Sequence, residues 1–222
     1  MARRILSTLM LIGVISLLPS CSWFLRKQDL QLNQPYENLS EGSIEEHWVV
    51  MGNRQGWSFS DGVIRSEGGM GGNWLRSRQT YGDFVLTLEY RVAPGGNSGV
   101  FIRCEEEGNP WETGYECQIS NEQPPRDELH CTGSLYGYVP VAYRPDESPE
   151  VWHTYRIIAK GNRIIVYVDG IKTVDVDQRE VSAIENKPLT GYIGLQDSHT
   201  AEGKWVEFRN VRIRELIPPE TQ

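Results

Sequence analysis

Along most of the chain, apolar and polar residues alternate one by one, the period of a strand with one buried face. The clearest case is Phe84 to Val92. There Phe84, Leu86, Leu88, Tyr90 and Val92 form an apolar row, and Val85, Thr87, Glu89 and Arg91 face the other way. Trp57 to Arg65 reads as a hairpin of two alternating runs about Asp61-Gly62, a dipeptide suited to the positive φ of a tight turn. Glu67 to Asn73 is glycine-rich and reads as a loop, followed by a short strand at Trp74 to Ser77. Gly95-Gly96 and Gly114 each lead into a further strand. In the first, Val100 and Ile102 point inward, opposite Gly99, Phe101 and Arg103; in the second, Tyr115, Cys117 and Ile119 oppose Glu116 and Gln118. If these two strands share a sheet, Arg103, Glu116 and Gln118 share one open face. Residues 121–150, rich in Pro, Asp and Glu, fit no helix, and a loop of that length in a compact domain is usually functional.

Strands are also predicted at Trp152 to Ala159, Arg163 to Val168 and Ile171 to Val176, joined by turns at Gly161-Asn162 and Asp169-Gly170. More follow at Gly191 to Gln196, Trp205 to Phe208 and Val211 to Ile213, with a short helical turn near Glu180 to Asn186. About a dozen short strands with little helix predict an all-β fold of two antiparallel sheets packed as a jelly-roll sandwich. A β-barrel is the alternative.

The first residues follow another pattern. Arg3 and Arg4 precede an apolar run from Ile5 to Leu18, too short to span a bilayer comfortably, and Leu18-Pro19-Ser20-Cys21 sets small residues before a cysteine. This resembles a bacterial lipoprotein signal. Residues 1–20 are then expected to be removed and Cys21 lipidated; an ordinary signal peptide with an incidental cysteine is the alternative. By the same resemblance, Ser22 after the cysteine implies the outer membrane, facing the periplasm or the exterior. Residues 21–34 read as a tether, 35–217 as the folded domain and 218–222 as a tail, so membrane contact is expected only through the lipid. The net charge is −8, two units more negative without Arg3 and Arg4, which excludes a phosphate-neutralising surface and with it a nucleic-acid partner. Beyond Cys21 the cysteines are Cys104, Cys117 and Cys131, an odd number that in an oxidising compartment allows one bridge and one thiol. Cys104 and Cys117 flank the turn between the two glycine-led strands and are the first expectation for that bridge. A thiolate metal site lacks any C-x-x-C spacing.

Five segments carry a family resemblance: Gly-Asn-Ser-Gly-Val-Phe at 96–101, Trp-Glu-Thr-Gly-Tyr-Glu-Cys-Gln at 111–118, Thr-Gly-Ser-Leu-Tyr-Gly at 132–137, Gly-Tyr-Ile-Gly-Leu-Gln-Asp at 191–197 and Val-Glu-Phe-Arg-Asn-Val at 206–211. In this order they resemble the 3-keto-disaccharide hydrolase domain family, over roughly Tyr36 to Leu216. The resemblance implies a concanavalin A-like jelly roll. It also implies cleavage of glycosides whose C3 hydroxyl has first been oxidised to a ketone by a separate glycoside 3-dehydrogenase. Two positions depart from the family pattern: Ser120 stands where many relatives carry Asp, and Ser198 where some carry His, with His199 one residue later.

A 3-ketone makes the C2 proton acidic, so such cleavage needs a base near C2, a cation or donor at the C3 oxygen and an acid near the glycosidic oxygen. Because no oxocarbenium-like transition state is required, a carboxylate pair at fixed separation is not mandatory. Glu116 is the candidate base and Arg103 the candidate partner of the developing enolate. His130, in the long loop, and His199 are candidate acids or shuttles, since imidazole titrates near neutrality. Gln118, Gln196, Asp197, Asn97 and Glu89 are candidates for binding sugar hydroxyls. Trp111, Tyr136 and Trp74 are candidate platforms for a sugar ring. No cofactor is expected, although Asp175 and Asp177 lie on one strand face and could join a structural Ca²⁺ site if further ligands were supplied.

Overall fold

The computed structural model describes residues 35–69 and 73–216. The expected signal, Cys21, the tether and the tail lie outside the described residues.

The chain runs β1 (Glu37–Asn38), α1 (Ile44–His47), β2 (Trp48–Met51), β3 (Trp57–Ser60), β4 (Val63–Ser66), β5 (Trp74–Tyr81) and β6 (Phe84–Val92). It continues with β7 (Asn97–Cys104), α2 (Pro110–Thr113), β8 (Tyr115–Ser120), β9 (His153–Lys160), β10 (Arg163–Val168), β11 (Ile171–Asp177), β12 (Gly191–Gln196) and β13 (Val206–Glu215). One sheet has eight strands in the order β11-β10-β9-β6-β13-β4-β3, with β1 added beside β13; the other has five, in the order β2-β5-β12-β7-β8. Every pairing between these strands is antiparallel. The all-β sandwich read from the alternation is therefore the fold.

The alternation decides which side chains fill the space between the sheets. From the eight-stranded sheet come Leu86, Leu88, Tyr90, Tyr155, Ile157 and Phe208; from the other come Val100, Ile102, Tyr115, Ile119, Ile193 and Leu195, all joined in one buried cluster. Each such side chain contributes on the order of 1.5–3 kcal/mol by leaving water. Hairpin turns fall where predicted: Asp61 and Gly62 (φ 52° and 74°) between β3 and β4, and Asp169 and Gly170 (φ 49° and 77°) between β10 and β11. The strand predicted at 74–77 extends to Tyr81, and the two segments predicted around 205–213 are one strand. Asn210, at φ 51°, marks the irregularity in β13 that interrupted the alternation.

The long loop after β8 contains no regular strand, yet it borrows the edge of the sheet. Gly133 N donates to Gln118 O (2.9 Å), Gln118 N to Ser134 O (3.1 Å) and Tyr136 N to Glu116 O (2.9 Å). The Thr132 hydroxyl both accepts from Ser120 N (2.9 Å) and donates to Ser120 O (3.1 Å). These bonds use the backbone groups that an unpaired β8 edge would otherwise expose. They also deliver Tyr136 to the outer face of the five-stranded sheet.

Candidate active site

That outer face is the floor of a cavity of about 610 Å³. The β7–β8 register sets Phe101 opposite Glu116 and Gly99 opposite Gln118, while Val100 and Cys117 point together into the core. β5 adds Trp74, β12 adds Gln196, and Asn73 and Asp197 follow at their ends. Asp197 N donates to Asn73 O (3.0 Å), and Asn73 N donates to Asp197 Oδ2 (3.3 Å), so these two segments are tied together at the floor. The walls are the segment from Gly108 to Trp111, Tyr136 and His199. Pro110 opens the single turn of α2, where its fixed φ suits a helix start and its missing N–H costs nothing. Trp111 rides on that turn.

Two carboxylates sit in this floor, and burial separates their acidities. Glu116 is only 4% exposed, and desolvation pushes its carboxyl up to about 8 against the opposing charge of Arg126 and a hydrogen bond from Gln196. Asp197 is raised less, to about 6, by burial that the Asn73 backbone N–H partly offsets. Near neutrality Glu116 is thus mostly protonated and Asp197 mostly ionised, the split that assigns acid and base roles in a shared site. Burial holds His199 below the ordinary imidazole range, opposed by the Glu122 charge and aided by that of Arg126. Asn97 Nδ2 donates to Glu122 Oε2 (2.7 Å), and Asn73 Oδ1 accepts from Asn53 N (2.7 Å), which fixes both amide orientations. Their other ends, Asn97 Oδ1 and Asn73 Nδ2, have no partner among the described residues, and neither do Gln196 Oε1 and Asp197 Oδ1. An enclosed polar atom left unpaired costs about 1–3 kcal/mol, and gathering four around one floor is the mark of a site that trades stability for function.

Of the residues expected from the sequence, Glu116, Gln118, Asn97, Gln196, Asp197 and His199 come together here, with Trp111, Tyr136 and Trp74. Arg103 does not. Two residues of β7, Ile102 and Arg103, oppose the single Ile193 of β12, since Phe101 pairs with Gly194 and Cys104 with Tyr192. Arg103 adopts φ 54° at this bulge, and the bulge breaks the alternation, as bulges do. Its guanidinium is fully buried and spans turns of both sheets, donating to Gly161 O (2.7 Å) and Gly82 O (3.0 Å) and lying 3.4 Å from Asp83 Oδ1. Glu89 is on the outer face of the other sheet, paired with Arg209 at 2.6 Å, whose guanidinium lies over Trp152. His130 bonds Asp127 (2.7 Å) and packs its ring against the edge of Tyr136, outside the cavity lining.

The expected Cys104–Cys117 bridge is absent: Cys104, Cys117 and Cys131 are all free and buried. The register forbids it: Cys117 pairs with Val100, four residues before Cys104 and so about 13 Å away along the strand, beyond the reach of a disulfide. The bulge also turns Cys104 to the outer face with Trp74 and Phe101, while Cys117 stays in the core between the sheets. Asp175 is held by Arg163 and Lys172, and Asp177 by Arg179. No group of three or more metal-ligating side chains occurs among the described residues. Ser120 and Ser198 are buried, Ser198 bonding Thr200 through its hydroxyl.

The sequence reading missed Asn73, which ends a glycine-rich segment with no local chemical signal, and the pair Glu122–Arg126. The pair stands at i,i+4 spacing in a loop, where helical periodicity gives no guide, and Arg126 Nε meets Glu122 Oε2 directly.

Residues 35–214 match the family described as a 3-keto-alpha-glucoside-1,2-lyase-like domain. A 3-keto-disaccharide hydrolase from Bacteroides thetaiotaomicron is 25% identical over 207 residues, covering 72% of this chain and 70% of that protein. A Parabacteroides distasonis crystal structure, described as a candidate glycosyl hydrolase, superposes with a TM-score of 0.72 at 23% identity over 82% of this chain and all of that one. A Bacillus licheniformis β-glucanase aligns at TM-score 0.54 and 16% identity over 82% of this chain and 99% of that one, a likeness of fold. With a family match spanning nearly the whole described chain, the protein belongs to the 3-keto-alpha-glucoside-1,2-lyase-like domain family.

Proposed function

We propose that the protein cleaves the glycosidic bond of a glycoside that carries a ketone at C3. The observation that carries this reading is the pair Glu116 and Asp197, two carboxyl groups in one cavity whose acidities burial sets on either side of neutrality. Asp197, ionised, takes the C2 proton made acidic by the ketone. The C2–H electrons pass first onto the C3 oxygen as an enolate, then return to form the C1=C2 bond as the C1–O bond breaks, and protonated Glu116 delivers its proton to the departing oxygen. Water adding across C1=C2 gives the hydrolysed sugar; without that step the end point is elimination. The base expected at Glu116 is thereby placed at Asp197, and Glu116 becomes the acid. Gln118, Gln196 and Asn97 are the groups for sugar hydroxyls, with Trp111 and Trp74 as apolar surface for the ring. A separate dehydrogenase must supply the ketone, because nothing in this cleavage changes oxidation state at C3. We further propose a lipid-anchored protein of the cell envelope, held through Cys21; labelling with a radioactive fatty acid, lost in Cys21→Ser, tests that location.

The catalytic reading is tested with a 3-keto glucoside in deuterated water. Release of the aglycone is expected, with deuterium at C2 of the hydrated sugar, and Glu116→Gln should stop release while still binding the unoxidised sugar. A saturated 3-keto sugar without deuterium at C2 would replace elimination by direct hydrolysis, whereas an unsaturated sugar, whose C2 carries no hydrogen, is the elimination end point. Binding of sugar with no release by the wild type would leave a carbohydrate-binding module, a second reading favoured by the aromatic and amide lining.

A further inference from the structure

The cleavage proposed above gathers negative charge on the C3 oxygen, and Arg103, the cation expected to meet it, is committed to the turns at Gly82 and Gly161. Among the described residues lining the cavity, none is a lysine or an arginine. Tyr136 does line it, and its backbone N–H bonds Glu116 O at 2.9 Å, so the phenol rises from the segment bonded directly alongside the acid.

Behind the phenol stands Arg126. Its Nη1 donates to the Tyr136 hydroxyl oxygen at 3.4 Å, and its guanidinium lies 6.0 Å from the ring centre. A hydroxyl that accepts from a guanidinium has its own hydrogen left to give, and the cation makes that hydrogen a better donor. Arg126 is fixed by Glu122, which also takes the Asn97 amide, and the Tyr136 ring is braced by the His130 ring, 4.9 Å away from centre to centre.

We propose that the Tyr136 hydroxyl, polarised by Arg126, is the electrophilic group that donates to the C3 oxygen as the enolate forms, an assignment that rests on the reading of the site as a 3-keto glycoside eliminase. Tyr136 is the catalytic residue and Arg126 its positioning residue. No covalent bond to the protein forms: the hydrogen bond strengthens as charge moves from C2 onto oxygen and relaxes when the C1–O bond breaks. A preorganised donor of this kind in a partly dry site matters most in the transition state.

The test measures kcat, KM and the rate of C2 deuterium exchange on a 3-keto glucoside for the wild type, Tyr136→Phe, Arg126→Met and Arg126→Lys, with folding checked by circular dichroism. Tyr136→Phe should lower kcat and C2 exchange together by about 10²-fold, the loss typical of one oxyanion donor, with KM little changed. Arg126→Met should lower both by less, and Arg126→Lys should recover part of that loss, which a merely structural role would not require. An active wild type whose Tyr136→Phe variant keeps its kcat overturns the role of Tyr136 and leaves the proposed reaction standing. A wild type that neither cleaves nor exchanges overturns both.

Discussion

Glu116 lies over the bare Cα of Gly99: a Cβ there would stand 2.6 Å from Glu116 Oε1 and 2.8 Å from its Cγ. The two residues sit on neighbouring strands as diagonal neighbours of one face, two residues apart in the register. Gly99 is absent from the positive-φ glycines, so here glycine is required for space and not for conformation.

Gly99→Ala is therefore expected to displace the Glu116 carboxyl while leaving the strand paired. Cleavage should fall by about tenfold or more, because a misplacement near 1 Å is costly in a positioned site. The melting temperature should shift only slightly. A variant with wild-type kcat would show that Glu116 tolerates the shift and is not the acid.

The raised acidities predict a pH profile. Asp197 must be ionised and Glu116 protonated, so kcat/KM should rise through about pH 6 and fall through about pH 8. The Glu116 contribution to stability runs in one direction. Glu116 holds its proton up to about 8 when folded but only to 4.5 in its ordinary state, so the native protein binds the extra proton in that window. Stability is thus lost as pH rises through it. Thermal melts of Glu116→Gln across pH 5 to 9 should show a smaller fall than the wild type. Equal slopes would mean the carboxyl is not buried in solution.

Arg103 is expected to matter for folding rather than for catalysis. Arg103→Ala removes donors from the Gly82 and Gly161 carbonyls and leaves two turns unlinked, at a cost of about 3 kcal/mol. Urea unfolding measures the loss, and the folded fraction should keep the wild-type kcat. A large drop in kcat without destabilisation would return Arg103 to the chemistry.

Lys187 holds the wall that carries Trp111. Its ammonium donates to the carbonyls of Glu112 (2.5 Å) and Gly114 at the end of α2 and lies 4.5 Å from the Tyr138 ring centre, while burial pushes its pKa down to about 8. Lys187→Met should raise KM several-fold with little change in kcat, and in the wild type KM should begin to climb above pH 8. A KM unaffected by either would show that the wall stands without it.

Much of the site was legible because a strand imposes a period of two without help from the rest of the fold. Parity set Glu116 and Gln118 on the side of their strand away from the core and Phe101 on the same side of its own, and the pairing of β7 with β8 joined them on one face. Arg103 obeyed that parity on paper and broke it at a bulge, which depends on how β7 meets β12. Glu89 alternates as cleanly as Glu116, yet its strand belongs to the other sheet, and local pattern does not say which sheet a strand joins.

What the chain's own order of residues determined was the all-β class, the hairpin turns at Asp61-Gly62 and Asp169-Gly170, and the inward and outward rows of the strands without a bulge, since these follow from chain sterics and burial of alternate side chains. What only the tertiary structure decided was the strand order, the free thiols at Cys104 and Cys117, and the arrival of Asn73, Asp197 and Tyr136 around Glu116. It also decided the chemistry of Glu116. A carboxyl group becomes an acid near neutrality when water is removed from it, and that desolvation exists only after distant segments have closed over it.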